Sequence, residues 1–232
     1  MYFRAPIFPC VWEIKPTILT PGKYWSLSAD EAMPGEGFRN IPGRLPRLTT
    51  FTDLSAVDLA MAHHCVLHFS GDDFTHLVYA RNAAKHKIMS LPPWSKLADL
   101  ERRWADNCVY ECCRLTTVLY ANTVSFPTLE DFPGVQEPLR QLRDLLASFD
   151  LNQFEGECSA VVLWAVFVGG IASYRTQHWS FFVSALRICK ATASIASLEE
   201  AVAVLRAFVW SDAACADGAQ VVWNASEAED SD

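Results

Sequence analysis

Basic residues are scarce where this 232-residue chain is most helical in pattern. Residues 105–232 hold 7 Lys+Arg against 17 Asp+Glu, a net of −10, while residues 1–104 hold 12 against 10, a net of +2; together they make the formal −8 of the whole chain. A duplex-binding surface needs clustered cations that displace condensed counterions. Neither half clusters them, so specific DNA binding by this chain alone is not expected. Long apolar runs are missing too. The longest, Val162–Ser173 (VLWAVFVGGIAS), falls short of the ~20 residues that span a bilayer. The start, MYFRAPIFPCVWEIKP, is broken by prolines, which predicts no signal peptide. Sustained period-two alternation is absent, which argues against a sheet. G-x-S-x-G, a Gly-rich phosphate loop and H-E-x-x-H are absent as well, which removes the motif-bearing routes to hydrolysis, nucleotide binding and zinc proteolysis.

What the chain has is apolar helix. At 51% apolar content it can supply a real core. Residues 1–50 hold most of the prolines and read as an irregular, partly disordered segment. Residues 51–223 read as a helical domain, and residues 224–232, ending Glu227-Ala228-Glu229-Asp230-Ser231-Asp232, as a solvated acidic tail. Helices are predicted over Asp53–Phe69, Asp72–Met89, Ser95–Thr123 (stopped by Pro127), from Pro138 as a first-turn residue, over 155–174, from about His178 to Ala193, and over Leu198–Trp210. Ser197-Leu198-Glu199-Glu200 is a capping box in which Glu200 can reach back to the Ser197 amide. Val221-Val222-Trp223 is too short to change the class. The expected fold is all-α and multi-helical, with 160–174 as its central buried helix and Gly169–Gly170 where a neighbouring helix comes close.

The eight cysteines fall mostly on apolar helix faces, where a thiol behaves as a small hydrophobe. Without a secretion signal they are expected to be reduced. Cys108, Cys112 and Cys113 look like ligands only if their helix is ignored, since Cys108 and Cys112 share the apolar seam of Leu115. His64 and His68 share a helical face beside His63, but HHCVLH lacks the glutamate of a zinc protease and reads as a partly exposed face. Asp72-Asp73-Phe74-Thr75-His76 resembles half of an aspartate-rich magnesium motif of terpene cyclases. Its last position is His76, however, and helix capping explains Asp72. Asn224-Ala225-Ser226 is formally a glycosylation sequon. No residue is assigned a catalytic, cofactor-binding or metal-binding role, and no cofactor is expected.

Several segments, taken in order, resemble the regulatory domain of fungal binuclear zinc-cluster transcription factors. They are Cys113-Arg114-Leu115 through Leu119-Tyr120, then Val162 to Gly170, then Trp179-Ser180-Phe181-Phe182-Val183, and last Leu205 to Asp212. Leu59 to His64 is a fainter echo. The resemblance covers about 105–223. It implies an all-α regulatory module acting in a fungal nucleus through protein contacts with the transcription machinery or another copy. It also implies that activation is restrained or transmitted, with metabolite sensing in a helical pocket as one route. The family's zinc cluster needs C-x2-C-x6-C twice, and Cys10 stands alone in the first 64 residues, so that module is missing. The alternative reading is a helical enzyme or small-molecule-binding protein of a fungal biosynthetic pathway, with the histidines and Asp72–Asp73 near its site.

Overall fold

The fold is all-α. The computed structural model describes residues 35–41, 48, 50–52, 71–99, 107–125, 133–151 and 157–228. The helices are α1 (Glu36–Arg39), α2 (Gly71–Met89), α3 (Asn107–Tyr120), α4 (Pro133–Ala147), α5 (Glu157–Ser173), α6 (Trp179–Ala193), α7 (Leu198–Leu205) and α8 (Asp212–Glu227). A 3-10 turn lies at Trp94–Lys96, and α3 runs on into a π-helical turn, Ala121–Ser125. Among the described residues no strand is present and no single helix is long and apolar enough to cross a membrane. The predicted Asp53–Phe69 helix, with His63, His64 and His68, lies outside the described residues.

Helix α5 is central for a reason visible in its composition. An α-helix apolar all round can only be buried all round. Every residue from Val161 to Ile171 is buried, and α5 packs on α1, α3, α4, α6, α7 and α8. Gly169 and Gly170 make this possible on two adjoining sides. A Cβ built on Gly169 would lie 2.2 Å from the Phe182 ring on α6, and one on Gly170 would lie 2.8 Å from Val222 on α8. The close approach expected at these glycines is therefore present, made by a ring and an isopropyl group. Gly218 reciprocates from α8, where a Cβ would meet Ile171 at 3.0 Å.

Helix α3 is buried on more than the predicted seam, from Val109 to Asn122 apart from Glu111 and Arg114. These two form an i,i+3 ion pair at 2.6 Å. Glu111 also accepts from the Trp94 backbone N–H, while Tyr110 donates to the Pro92 carbonyl at 2.7 Å. Those contacts fold the Pro92–Pro93 stretch onto α3, so the helix predicted from Ser95 does not begin there. Pro93 is extended and a single 3-10 turn follows it.

Helix α4 starts at Pro133, five residues before the predicted Pro138 start, and holds Pro138 in its interior. Proline removes an i→i−4 hydrogen bond and so strands the carbonyl of Gly134. Asn122, from the π turn, donates its side-chain amide to that carbonyl at 3.0 Å. A residue twelve positions away thus supports the irregularity. Leu139, Leu142 and Leu146 form the buried stripe of α4, with Leu145 and Phe149 partly buried beside them.

Three further corrections concern boundaries. The segment read as irregular to residue 50 contributes α1: the Gly37 N–H donates to the Ala207 carbonyl at 2.8 Å, and Phe38 is buried against Trp164, Phe208 and Phe51. Helix α7 ends at Leu205, not Trp210, although Phe208 and Val209 stay buried. At the other end α8 continues to Glu227, so Val221-Val222-Trp223 is helical and the tail does not begin at 224.

The caps follow local chemistry. Ser197 Oγ accepts from the Glu200 N–H at 3.2 Å, and the Glu200 carboxylate accepts from the Ala196 N–H at 2.8 Å, one residue before the amide expected. Helix α6 closes with Ser194 in the left-handed region (φ 54°), where Ile195 N–H donates to the Lys190 carbonyl at 3.0 Å. That is a Schellman closure with serine where glycine is usual. Ser194→Gly should relieve strain of about 1–3 kcal/mol and return about 0.4–1 kcal/mol to the unfolded chain. The expected net is a gain of about 1 kcal/mol, read from urea denaturation midpoints.

Candidate functional site

The described polar groups gather at three places: the α3 cysteines, the meeting of α6 with α8, and the corner between α4 and α6. The cysteines come first because a thiolate is both a strong nucleophile and a soft ligand. Cys112 and Cys113 are buried on α3, Cys189 is buried on α6, and Cys108 is half-buried. Burial pushes the Cys112 thiol up to about 12 and raises Cys113 well above the ordinary range; Cys189 is likewise pushed up to about 12. The Thr116 hydroxyl, buried without a well-formed hydrogen bond, offsets a little of this at Cys112. A thiolate is the reactive and ligating form, and here it is strongly disfavoured. These cysteines act as core hydrophobes. Among the described residues no group of three His, Cys, Asp or Glu side chains could hold a metal ion. Asp72 and Asp73 fall in the first turn of α2.

At the second place α6 holds the end of α8. The last carbonyls of a helix lack intrahelical donors and carry the negative end of its dipole. Arg187 fills this need: its Nε donates to the Ser226 carbonyl at 3.1 Å and its Nη2 to the Ala228 carbonyl at 2.7 Å. One turn on, Lys190 sits 4.1 Å above the Trp223 ring centroid, donates to Ser226 Oγ at 3.2 Å and pairs with Glu227. Burial, then the neighbouring Arg187, lowers the Lys190 pKa. Ser226 is buried here, so the sequon serine is a packing residue. Beside this clasp lies a shallow depression of about 400 Å³, lined by Arg187, Lys190, Ala191, Ser194, Ile195 and Ala196. It is open and presents a cationic rim, and its Lys190 donates to Ser226 and Glu227 on α8.

The third place is the α4–α6 corner. Buried His178 is the N-cap of α6, and its Nδ1 lies 3.4 Å from Arg143 Nη1 on α4. Arg143 is also paired with Asp144, and Arg140 bridges Asp144 (2.9 Å) and Glu137 (2.7 Å) along the exposed face. Burial, then Arg143, lowers the His178 pKa.

Sequence reasoning missed the last two places. The i,i+3 spacing of Arg187 and Lys190 does set them on one helix face, but their partners lie 36 to 41 residues further on. What these arrangements do chemically is hold helices to one another. No family model, no curated protein and no solved structure matches the chain.

Proposed function

We propose that this chain is a non-enzymatic helical regulatory module of transcription-regulator type, acting through protein contacts and carrying no DNA-binding module of its own. One observation carries the reading. The four segments that bear the resemblance lie on α3, α5, α6 and the α7–α8 turn, and their apolar residues share one core around α5. Cys113, Leu119, Trp164, Phe182, Leu205 and Phe208 all belong to it. Segments that resemble one domain in order are thus also neighbours in space. The nature of the polar groups supports the same reading: buried thiols are held protonated, and the arginine, lysine and histidine described above join helices.

The acidic balance fits a protein-directed role, since at −8 the phosphate-driven part of duplex affinity is repulsive. Two measurements test the proposal together. Fused to an unrelated sequence-specific DNA-binding module, the chain should change transcription of a matched reporter, and the same fusion carrying Trp164→Ala should not. Unfused, it should show no sub-micromolar binding to any duplex at low salt in an anisotropy titration. Tight binding with a steep salt slope, or an inert fusion, would overturn the proposal. Turnover of a hydrophobic substrate would favour the helical-enzyme reading instead.

A further inference from the structure

We infer that the α4–α6 corner is an acid-sensitive clasp, in which protonation of His178 releases the N-terminal turn of α6 from Arg143. Three features of His178, one of them supplied by α4, converge there. His178 is 4% exposed, so an imidazolium there would be only partly hydrated. Its Nδ1 faces the Arg143 guanidinium at 3.4 Å, and a guanidinium can only donate. The ring is therefore the acceptor, which requires the neutral imidazole with its proton on Nε2. His178 also caps the 15-residue helix α6, whose N-terminal dipole end disfavours a cation.

The surrounding charges come mainly from α4. Arg143 and Arg140 oppose protonation and Asp144 favours it, but Asp144 is already engaged by both arginines. Helix α5 has no charged residue from Cys158 to Ser173, and α6 has none from Trp179 to Leu186. In the intervening turn Arg175 is exposed and lies over the Tyr174 ring, and Thr176 Oγ1 accepts from the His178 N–H at 3.2 Å. Among the described residues, Asp144 is the carboxylate that acts on the ring, and the two arginines hold it.

The sign follows. The folded pKa lies below the ordinary 6.5, so the closed corner binds fewer protons than the open one. Closure is strongest well above 6.5. It weakens as the pH falls through 6.5 toward the lower folded pKa, by at most about tenfold in opening constant per pH unit, and levels off below it. Opening would loosen Trp179 and Phe182, and Phe182 is the ring seated on Gly169.

Hydrogen exchange of amides 174–182, corrected for intrinsic rates, should show faster opening at about pH 5 than at about pH 7.5. Amides near the middle of α5 should not follow. His178→Asn keeps an acceptor for Arg143 but cannot titrate, and its opening should be flat across that range. Arg143→Gln removes the nearest cation and should move the wild-type midpoint to higher pH. Opening with the same pH dependence in His178→Asn, a flat wild type, or an unmoved midpoint in Arg143→Gln would each overturn the inference.

Discussion

Trp164→Ala is expected to cost about 3–5 kcal/mol, a large share of the 5–15 kcal/mol that typically holds a domain together. The indole is fully buried in the middle of α5, stacked on Phe208 at 5.3 Å and met edge-on by Phe38, also at 5.3 Å. Its Nε1 donates to the Val209 carbonyl at 3.0 Å, inside the core. Truncation opens a cavity among three elements and strands that carbonyl, which by itself costs about 1–3 kcal/mol. Trp164→Phe keeps much of the volume and loses the hydrogen bond, so it should fall between wild type and alanine. Chemical denaturation of the three proteins measures the order. Wild-type stability in Trp164→Ala would mean that α5 lies on a surface, and a partner face would become its explanation.

Gly169→Ala should destabilise by about 1–3 kcal/mol or more through overpacking. On helix propensity alone the same change would stabilise by roughly 1 kcal/mol, so the sign of the effect separates crowding from propensity. The added methyl would sit 2.2 Å from Phe182 Cε1, and the ring cannot retreat because Phe182 is itself fully buried. Gly170→Ala meets Val222 at 2.8 Å, a smaller overlap with a side chain that has less to move, and should cost less. Thermal melts of the two alanine variants beside wild type check both the sign and the order.

Much of this architecture could be read locally, and the exceptions share one cause. Helix α5 was legible because a segment apolar on every side has few soluble fates, and the helix over Trp179–Ala193 because its apolar spacing is regular. The capping box at Ser197 was legible because both partners lie within four residues. What escaped depended on groups far away in the chain. Pro138 reads as a helix start until Asn122 is known to satisfy the Gly134 carbonyl. Phe38 reads as part of an irregular, proline-rich segment until its neighbour Gly37 is found bonded to Ala207. Glu227 reads as tail until Arg187 and Lys190 are seen holding the end of α8. The candidate site was less legible than the fold for the same reason. Its polar residues form no motif at fixed spacing, and each finds its partner across an interface. Cys112 was the exception, because its helical phase alone, on the seam of Leu115, assigns it to the core.

The central claim is that α5 organises the domain by letting neighbours into its glycines. The most direct test is a double-mutant cycle between Gly169 and Phe182. Gly169→Ala is measured by urea denaturation in the wild type and again in Phe182→Ala, where the opposing ring has been removed. In the wild type it should destabilise, and in the Phe182→Ala background it should be neutral or stabilising, giving a coupling of about 1 kcal/mol or more between the two positions. An equal cost of Gly169→Ala in both backgrounds would contradict the account.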